Sequence, residues 1–265
     1  MVNPAEAYDR YLVPSLFEPW SRELIQRAKV WKGDRVLDVA CGTGIVACRI
    51  AATGAQVTGL DVTPGMLAQA KVRAGEEGVG VTWVERSAER LPFAAGSFDL
   101  VTCQQGVQFV ADRAAAVKEM RRVLAPGGRA VIACWTGLEG QPGYAPLHEV
   151  ARRHFGERGF SAPFSLGGEA VLRGLLAGAG FAPIAIETVT RVCRFPDPEV
   201  FVRRTLVAAA GFFPELEALD PELREARITA AAAEATPALA DRIEGGQLVM
   251  PTQSLLAVGR VRGGS

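Results

Sequence analysis

The chain has 265 residues and carries 29 Lys and Arg against 29 Asp and Glu, a formal net charge of zero. That balance supplies no basic field for a phosphate backbone, which sets nucleic acid aside as the main partner. Hydrophobic residues at 49% and charged residues at 22% form an ordinary globular mixture, which excludes global disorder.

Met1–Tyr11 already carries Glu6, Asp9 and Arg10 and lacks the basic start and apolar run of a signal peptide. No run of about 18 uncharged apolar residues follows, so no membrane span and a cytoplasmic location are expected. Two helices are predicted, Ala5–Val13 and Pro19–Val30, the second with Trp20, Leu24 and Ala28 on one face. Arg35–Ala40 reads as a strand, Gly42–Gly44 as a tight turn, and Ile45–Ala52 as a helix. Gln56–Asp61 is the next strand, and Thr63 with Pro64 opens a helix reaching about Ala74. Val81–Glu85 and Phe98–Gln104 are further strands. Asp112 caps a helix to Leu124, Pro126-Gly127-Gly128 stops it, and Arg129–Trp135 is a fifth strand. Strands alternating with helices imply right-handed crossovers and a doubly wound α/β sheet of Rossmann type.

Beyond Trp135 the pattern changes. Tyr144–Phe155 and Gly168–Ala177 read as helices, Ile184–Phe195 as a strand, and Gln253–Val261 as the closing strand. Residues 197–246 read as a helical cap inserted between the last two strands of a single domain. Cys41, Cys48, Cys103, Cys134 and Cys193 are scattered without C-x-x-C spacing and are read as small buried hydrophobes, with no metal expected.

The chemistry concentrates at the glycine turn. Glycines between a strand and a helix let a ligand approach the backbone. Asp38, four residues before Gly42, points the reading away from a pyrophosphate and towards an ammonium group. Ala47 stands where the dinucleotide fingerprint takes Gly or Ala, so NAD stays open as an alternative. Asp61 follows Gly44 by 17 residues, close to the spacing of an acid that accepts ribose hydroxyls. Ser87, Ala88 and Glu89 follow the third strand, where a loop covers an adenine. An adenosine with a cationic amino-acid tail, as in S-adenosyl-L-methionine (SAM), fits that row.

VLDVACGTG (36–44), LDVTPGML (60–67), SAERLPFAAGSFDLV (87–101) and MRRVLAPGGRAVIACW (120–135) together resemble the class I SAM-dependent methyltransferases, in particular the ubiquinone/menaquinone-biosynthesis branch. The resemblance spans residues 30–137, the expected SAM-binding core. It implies a seven-stranded sheet with an antiparallel last strand and methyl transfer to O, N or C of a small organic acceptor. By position it implies that Asp38 meets the methionine amino group and that Ala40, Gly42 and Gly44 lend backbone. Asp61 would take the ribose, Val62 and Met66 would pack near adenine, and Ala88 and Glu89 would sit at its edge. Gln104 would lie near the transferred methyl, and Tyr11, on a helix that closes over the cofactor in relatives, would touch cofactor or acceptor. Ser87 departs from the Asp or Asn of many relatives but keeps a hydroxyl for the adenine amino group.

On the acceptor side, Gln105 and Gln108 follow the fourth strand, Trp135 ends the fifth, and Phe164, Phe201, Phe212 and Phe213 offer an apolar roof. His148 is the one candidate base; His148 and His154 stand six apart and make no metal pair. A homodimer is a possible assembly. Two rival readings keep the fold: a SAM-binding enzyme catalysing a reaction such as cyclisation, and a non-catalytic SAM-binding partner subunit.

Overall fold

The computed structural model describes residues 4–156, 161–210, 213, 216 and 218–263. Phe212 lies outside them. The chain divides into two compact units, one of residues 1–135, 168–189 and 254–265, the other of residues 136–167 and 190–253.

The first unit begins with helix α1 (Pro4–Tyr11), a π-helical turn (Val13–Phe17) and α2 (Glu18–Ala28). Trp20, Leu24 and Ala28 fall on one face of α2, as their spacing predicts, and all three are fully buried. A buried Leu of this kind contributes about 1.5–3 kcal/mol. Lys29, at φ +48°, ends the helix in the left-handed region.

The sheet then follows the predicted alternation. β1 (Arg35–Val39), β2 (Gln56–Asp61), β3 (Val81–Glu85), β4 (Phe98–Gln104) and β5 (Leu124–Trp135) are joined through α3 (Ile45–Ala51), α4 (Pro64–Glu76) and α5 (Arg113–Val123). The β3–β4 connection has no helix. All but the first residue of β1 are buried, which is why it reads as a continuous apolar run rather than an alternation. Asp112 caps α5 as its position predicts, accepting from the Ala115 N–H at 2.9 Å. Thr63 makes no side-chain cap on α4; the carboxylate of Asp61 accepts the Thr63 N–H instead. Pro126-Gly127-Gly128 does not precede the fifth strand but lies within β5, where the pairing with β4 slips between Phe98 and Leu100.

After α6 (Ala145–Phe155) and α7 (Glu169–Gly178) come β6 (Ile184–Phe195), α8 (Pro198–Ala210), α9 (Pro221–Ala235), β7 (Ile243–Glu244) and β8 (Gln247–Arg260). Strand order is β3-β2-β1-β4-β5-β8-β6. Neighbours from β3 to β5 pair parallel, and β8 runs antiparallel to β5, so the last strand is antiparallel as expected. Among the described residues the count is eight rather than seven. The extra strand is β7, two residues that fold back on Gln247 and Leu248 through Gly245 and Gly246, both at positive φ. The segment expected to be helical over 197–246 therefore holds α8, α9, a 3-10 turn (Pro237–Arg242) and this short strand.

In the second unit Tyr144 of α6 packs against Phe164 and Phe201, with ring centroids 5.3 and 5.7 Å apart. Phe201 also meets Phe195 at 4.2 Å. Among the described residues no helix is long and apolar enough to cross a membrane.

Candidate cofactor site

The strand order reverses direction between β1 and β4, and an open parallel sheet places its ligand crevice at such a point, outside the carboxyl ends of the strands. Each of these two strands is followed by a non-glycine residue in the left-handed region, Ala40 at φ +54° and Gln105 at φ +53°. Strained backbone of this kind persists where the surroundings hold it, commonly at ligand sites. The two loops touch: a Cβ on Gly106 would stand 2.6 Å from the Ala40 Cβ.

Register does the next step. Asp38 of β1 stands opposite Thr102 of β4, which sends both side chains to the same face. The Thr102 hydroxyl donates to Asp38 Oδ1 at 2.7 Å, while Oδ2 is buried without a hydrogen-bond partner. Burial pushes the Asp38 carboxyl up to about 7, against the pull of the Thr102 hydroxyl and the Ala47 N–H, and the Asp61 charge pushes the same way as burial. Asp61, at the end of β2, accepts the Gly42 N–H at 2.9 Å through Oδ2 and the Thr63 N–H at 2.9 Å through Oδ1. It thereby holds the glycine turn in shape. A carboxylate has about four lone-pair sites, so two acceptances leave capacity for hydroxyl donors.

Asp38, Ala40, Gly42 and Gln104 line one crevice together with Tyr8, Phe17 and Thr43. Gln104 Nε2 donates to the Phe17 carbonyl at 3.0 Å, and its Oε1 is buried without a partner. The Thr43 hydroxyl is likewise buried and unpaired. Buried polar atoms are nearly always satisfied, so three orphans around one crevice ask for a polar ligand. Asp38 Oδ2 and Gln104 Oε1 accept, which suits an ammonium; the Thr43 hydroxyl donates, which suits a carboxylate. The residues present therefore fit the amino-acid end of SAM. The crevice holds about 30 Å³, and Tyr8 and Phe17 form part of its lining.

The glycines divide their work. Gly42, at φ +54°, has nothing within 4 Å of where a Cβ would stand, the open space that close approach of a ligand requires. Gly44, at φ +83°, is required by packing: a Cβ there would lie 2.7 Å from Trp83 Cη2. Farther out, Val62 is 66% exposed at the end of β2 and Met66 is half-buried in the first turn of α4. Ala88 is buried. Ser87 Oγ accepts the Glu89 N–H at 3.2 Å, and Glu89 Oε1 accepts the Asp112 N–H at 2.7 Å. Glu89 thus ties the loop after β3 to the start of α5.

Tyr8, not Tyr11, faces the crevice. Burial pushes the Tyr8 phenol far up, and the charges of Asp61 and Asp9 add to it. Tyr11 is half-buried, with the Arg10 guanidinium 5.6 Å from its ring centroid. The difference comes from how α1 docks, which helical spacing does not reveal. Gln105 is buried and its Nε2 donates to Ser254 Oγ at 3.1 Å, which in turn donates to the Cys134 carbonyl at 2.7 Å. That amide group serves the β5–β8 pair. Gln108 is buried, and its backbone carbonyl accepts from Arg113 at 3.0 Å. Trp135 is buried edge-on to Trp20, centroids 5.6 Å apart, with Phe17 at 6.4 Å. Phe164 and Phe201 belong to the aromatic cluster of the second unit, as does the helix of His148, whose Nδ1 is buried without a partner. His154 Nε2 pairs with Glu234 Oε2 at 2.7 Å on α9. Thr102, Thr43, Phe17 and Tyr8 complete the site and were not singled out by motif; only the β1–β4 register reveals Thr102.

A crevice built this way at the reversal point of a doubly wound sheet defines a cofactor-binding protein of the Rossmann-like class. Residues 37–132 match the family described as a methyltransferase domain. Demethylmenaquinone methyltransferase of Thermus thermophilus is 36% identical over 202 residues, covering 76% of this chain and 84% of that protein. The chain belongs to the class I SAM-dependent methyltransferases, in the company of their ubiquinone/menaquinone-biosynthesis branch. An uncharacterized protein of Mycobacterium bovis is 39% identical over 125 residues, 47% of this chain, and the match spans only 46% of that relative's length. In fold the chain is similar to the YcgJ protein of Bacillus subtilis, with TM-score 0.62, 21% identity, and coverage of 92% of this chain and 98% of that one.

Proposed function

We propose that this chain transfers the methyl group of SAM to a small organic acceptor. The observation that carries the reading is the trio of buried, unpaired polar atoms of Asp38, Thr43 and Gln104 around a crevice at the β1–β4 reversal. Bound SAM supplies a methyl group on a sulfonium, already activated for in-line displacement. The protein's part is then mainly to bind and align. Asp38, in its ionised form, accepts from the ammonium group, with Thr102 holding its other oxygen. Thr43 donates to the carboxylate. Asp61 keeps the turn in place and offers its remaining lone pairs to the ribose, and Val62, Met66, Ser87, Ala88 and Glu89 frame the adenine. Tyr8 and Phe17 exclude water from the amino-acid end, which strengthens the Asp38 contact.

On the acceptor side the reading gives Gln108 and Trp135 to orientation and His148 to proton removal where the acceptor needs it. The relative named demethylmenaquinone methyltransferase puts a quinol-type acceptor first among those to try. A cytoplasmic location and a homodimer belong to the same reading. The test is calorimetric titration with SAM, S-adenosylhomocysteine and NAD, followed by mass spectrometry for S-adenosylhomocysteine release with a small-molecule panel. Micromolar adenosyl binding without NAD binding, and acceptor-dependent release, are expected. Binding without release from any acceptor would favour a cyclase or a partner subunit, and no adenosyl binding would end the proposal.

A further inference from the structure

Arg73, on the third turn of α4, lies outside the sequence motifs of the cofactor site, yet it joins two walls of the crevice. Its Nε donates to the Thr43 carbonyl of the glycine turn at 3.1 Å. Its Nη2 donates to Asp9 Oδ1 of α1 at 2.5 Å. Its Nη1 donates to Glu77 Oε1, one turn along its own helix, at 3.2 Å. The Arg73 and Asp9 side chains are only 15% and 17% exposed, so this pair is shielded from the screening that makes surface ion pairs weak. Gln69, one turn earlier on α4, adds a 3.4 Å bond from Nε2 to Asp9 Oδ2. Where α1 crosses the start of α4, a Cβ on Gly65 would stand 3.9 Å from the Ala5 Cβ, an ordinary packing contact.

The consequence follows from geometry. A guanidinium is a rigid plane with five donors. One plane here fixes the distance between the glycine turn and the helix that carries Tyr8. Tyr8 and Phe17 line the crevice at the amino-acid end of the site together with Asp38, Thr43 and Gln104. Outward movement of α1 and the turn after it widens that crevice, and on that path the Asp9–Arg73 pair is a charged contact that has to break. The Gln104–Phe17 bond is a second, neutral one.

We propose that Arg73 is a positioning residue for the reaction, a latch that couples the glycine turn to the N-terminal segment and so sets how fast the cofactor enters and leaves. The proposal rests on the crevice being the cofactor site. Its signature differs from that of a merely structural residue. A latch that closes alike with and without the ligand, once loosened, speeds both directions and leaves the equilibrium nearly unchanged.

Stopped-flow measurement with S-adenosylhomocysteine, read by intrinsic tryptophan fluorescence, tests it on wild type, Asp9→Asn and Arg73→Lys. In both variants the association and dissociation rate constants are expected to rise together by about tenfold or more, with Kd changed less than about threefold. Arg73→Lys keeps the charge and loses the fork, so it cannot hold Thr43 and Asp9 at once. Unchanged rates in folded Asp9→Asn, or a weaker Kd with an unchanged association rate, would overturn the latch. Trypsin cleavage after Arg10 in the ligand-free protein supplies a readout independent of the cofactor. It is expected to be several-fold faster in Asp9→Asn than in wild type, and equal rates would count against the latch. Failure of wild type to bind S-adenosylhomocysteine, with the cleavage difference intact, would overturn the cofactor reading and leave the latch standing.

Discussion

The Thr102 hydroxyl donates to Asp38 Oδ1 at 2.7 Å across the β1–β4 pair, and Oδ2 of the same buried carboxylate has no hydrogen-bond partner among the described residues. Thr102 is fully buried and Asp38 nearly so. The pair orients the acid and favours its charged form, while burial works the other way.

Cofactor affinity is expected to depend on pH near neutrality. Burial sets the Asp38 carboxyl at about 7, so the group is ionised above that value and protonated below it. An ammonium binds the ionised form, so affinity for S-adenosylhomocysteine should fall as pH drops, by up to about tenfold per unit below the midpoint. Calorimetric titration between pH 6 and pH 8.5, as rough bounds around that midpoint, checks this. A flat profile would remove Asp38 from the ammonium contact.

Asp38→Asn should separate stability from binding. A folded-state value raised from 3.8 to about 7 means that the contribution to stability is fully present below 3.8 and is lost as pH rises through 7. The ligand-free Asn variant, which has no charge to bury, should therefore melt higher than wild type at alkaline pH, and bind S-adenosylhomocysteine at least about tenfold more weakly. Thermal melts with and without ligand measure both effects. A lower Tm for the variant above pH 7 would contradict the burial cost.

Thr102→Val removes the donor and keeps the shape. The charged form of Asp38 loses a hydrogen bond, so the midpoint of the affinity profile should move above 7. The loss of affinity at neutral pH should disappear at higher pH, where Asp38 is ionised in both proteins. A uniform loss at every pH would mean that Thr102 shapes the site rather than its charge.

Two glycine substitutions should fail in different ways. Gly44→Ala places a methyl 2.7 Å from Trp83 at φ +83° and is expected to cost about 2–4 kcal/mol of folding stability, read by urea denaturation. Gly42→Ala meets nothing within 4 Å and should cost only about 1–2 kcal/mol, for the left-handed backbone alone, while weakening the cofactor by intruding where it approaches. Equal stability losses would show that contact with Trp83 is not what requires Gly44.

Arg129→Ala should be the most damaging change away from the crevice. Arg129 is buried on β5, donates to the carbonyls of Ala28 and Lys29 at 2.6 and 2.8 Å, and pairs with Asp34 at 2.7 Å. It closes the end of α2 against the sheet, and its loss takes the side-chain donor from two carbonyls and leaves the Asp34 carboxylate with the Trp31 N–H alone. A cost of about 3–5 kcal/mol in urea denaturation is expected. A loss under about 1 kcal/mol would mean that water replaces it.

Local pattern settled much of this protein. The five parallel strands, the cap at Asp112, the buried face of α2 and the places of Asp38, Gly42 and Asp61 follow from apolar runs, turn residues and spacings a few residues long. Such features are decided by backbone sterics and by which face must leave water, so they are written where they act. Tertiary structure alone decided the rest. Asp61 braces the turn because β2 lies beside β1, and Thr102 meets Asp38 because β4 lies on the other side. Gly44 is a glycine because Trp83 reaches across β2, where a Cβ on Gly59 would also strike its ring. Tyr8 rather than Tyr11 lines the crevice, on a helix whose Asp9 is held by Arg73, 64 residues along the chain. Each of these depends on a contact between segments far apart in sequence, and its register is set by packing that no local pattern encodes.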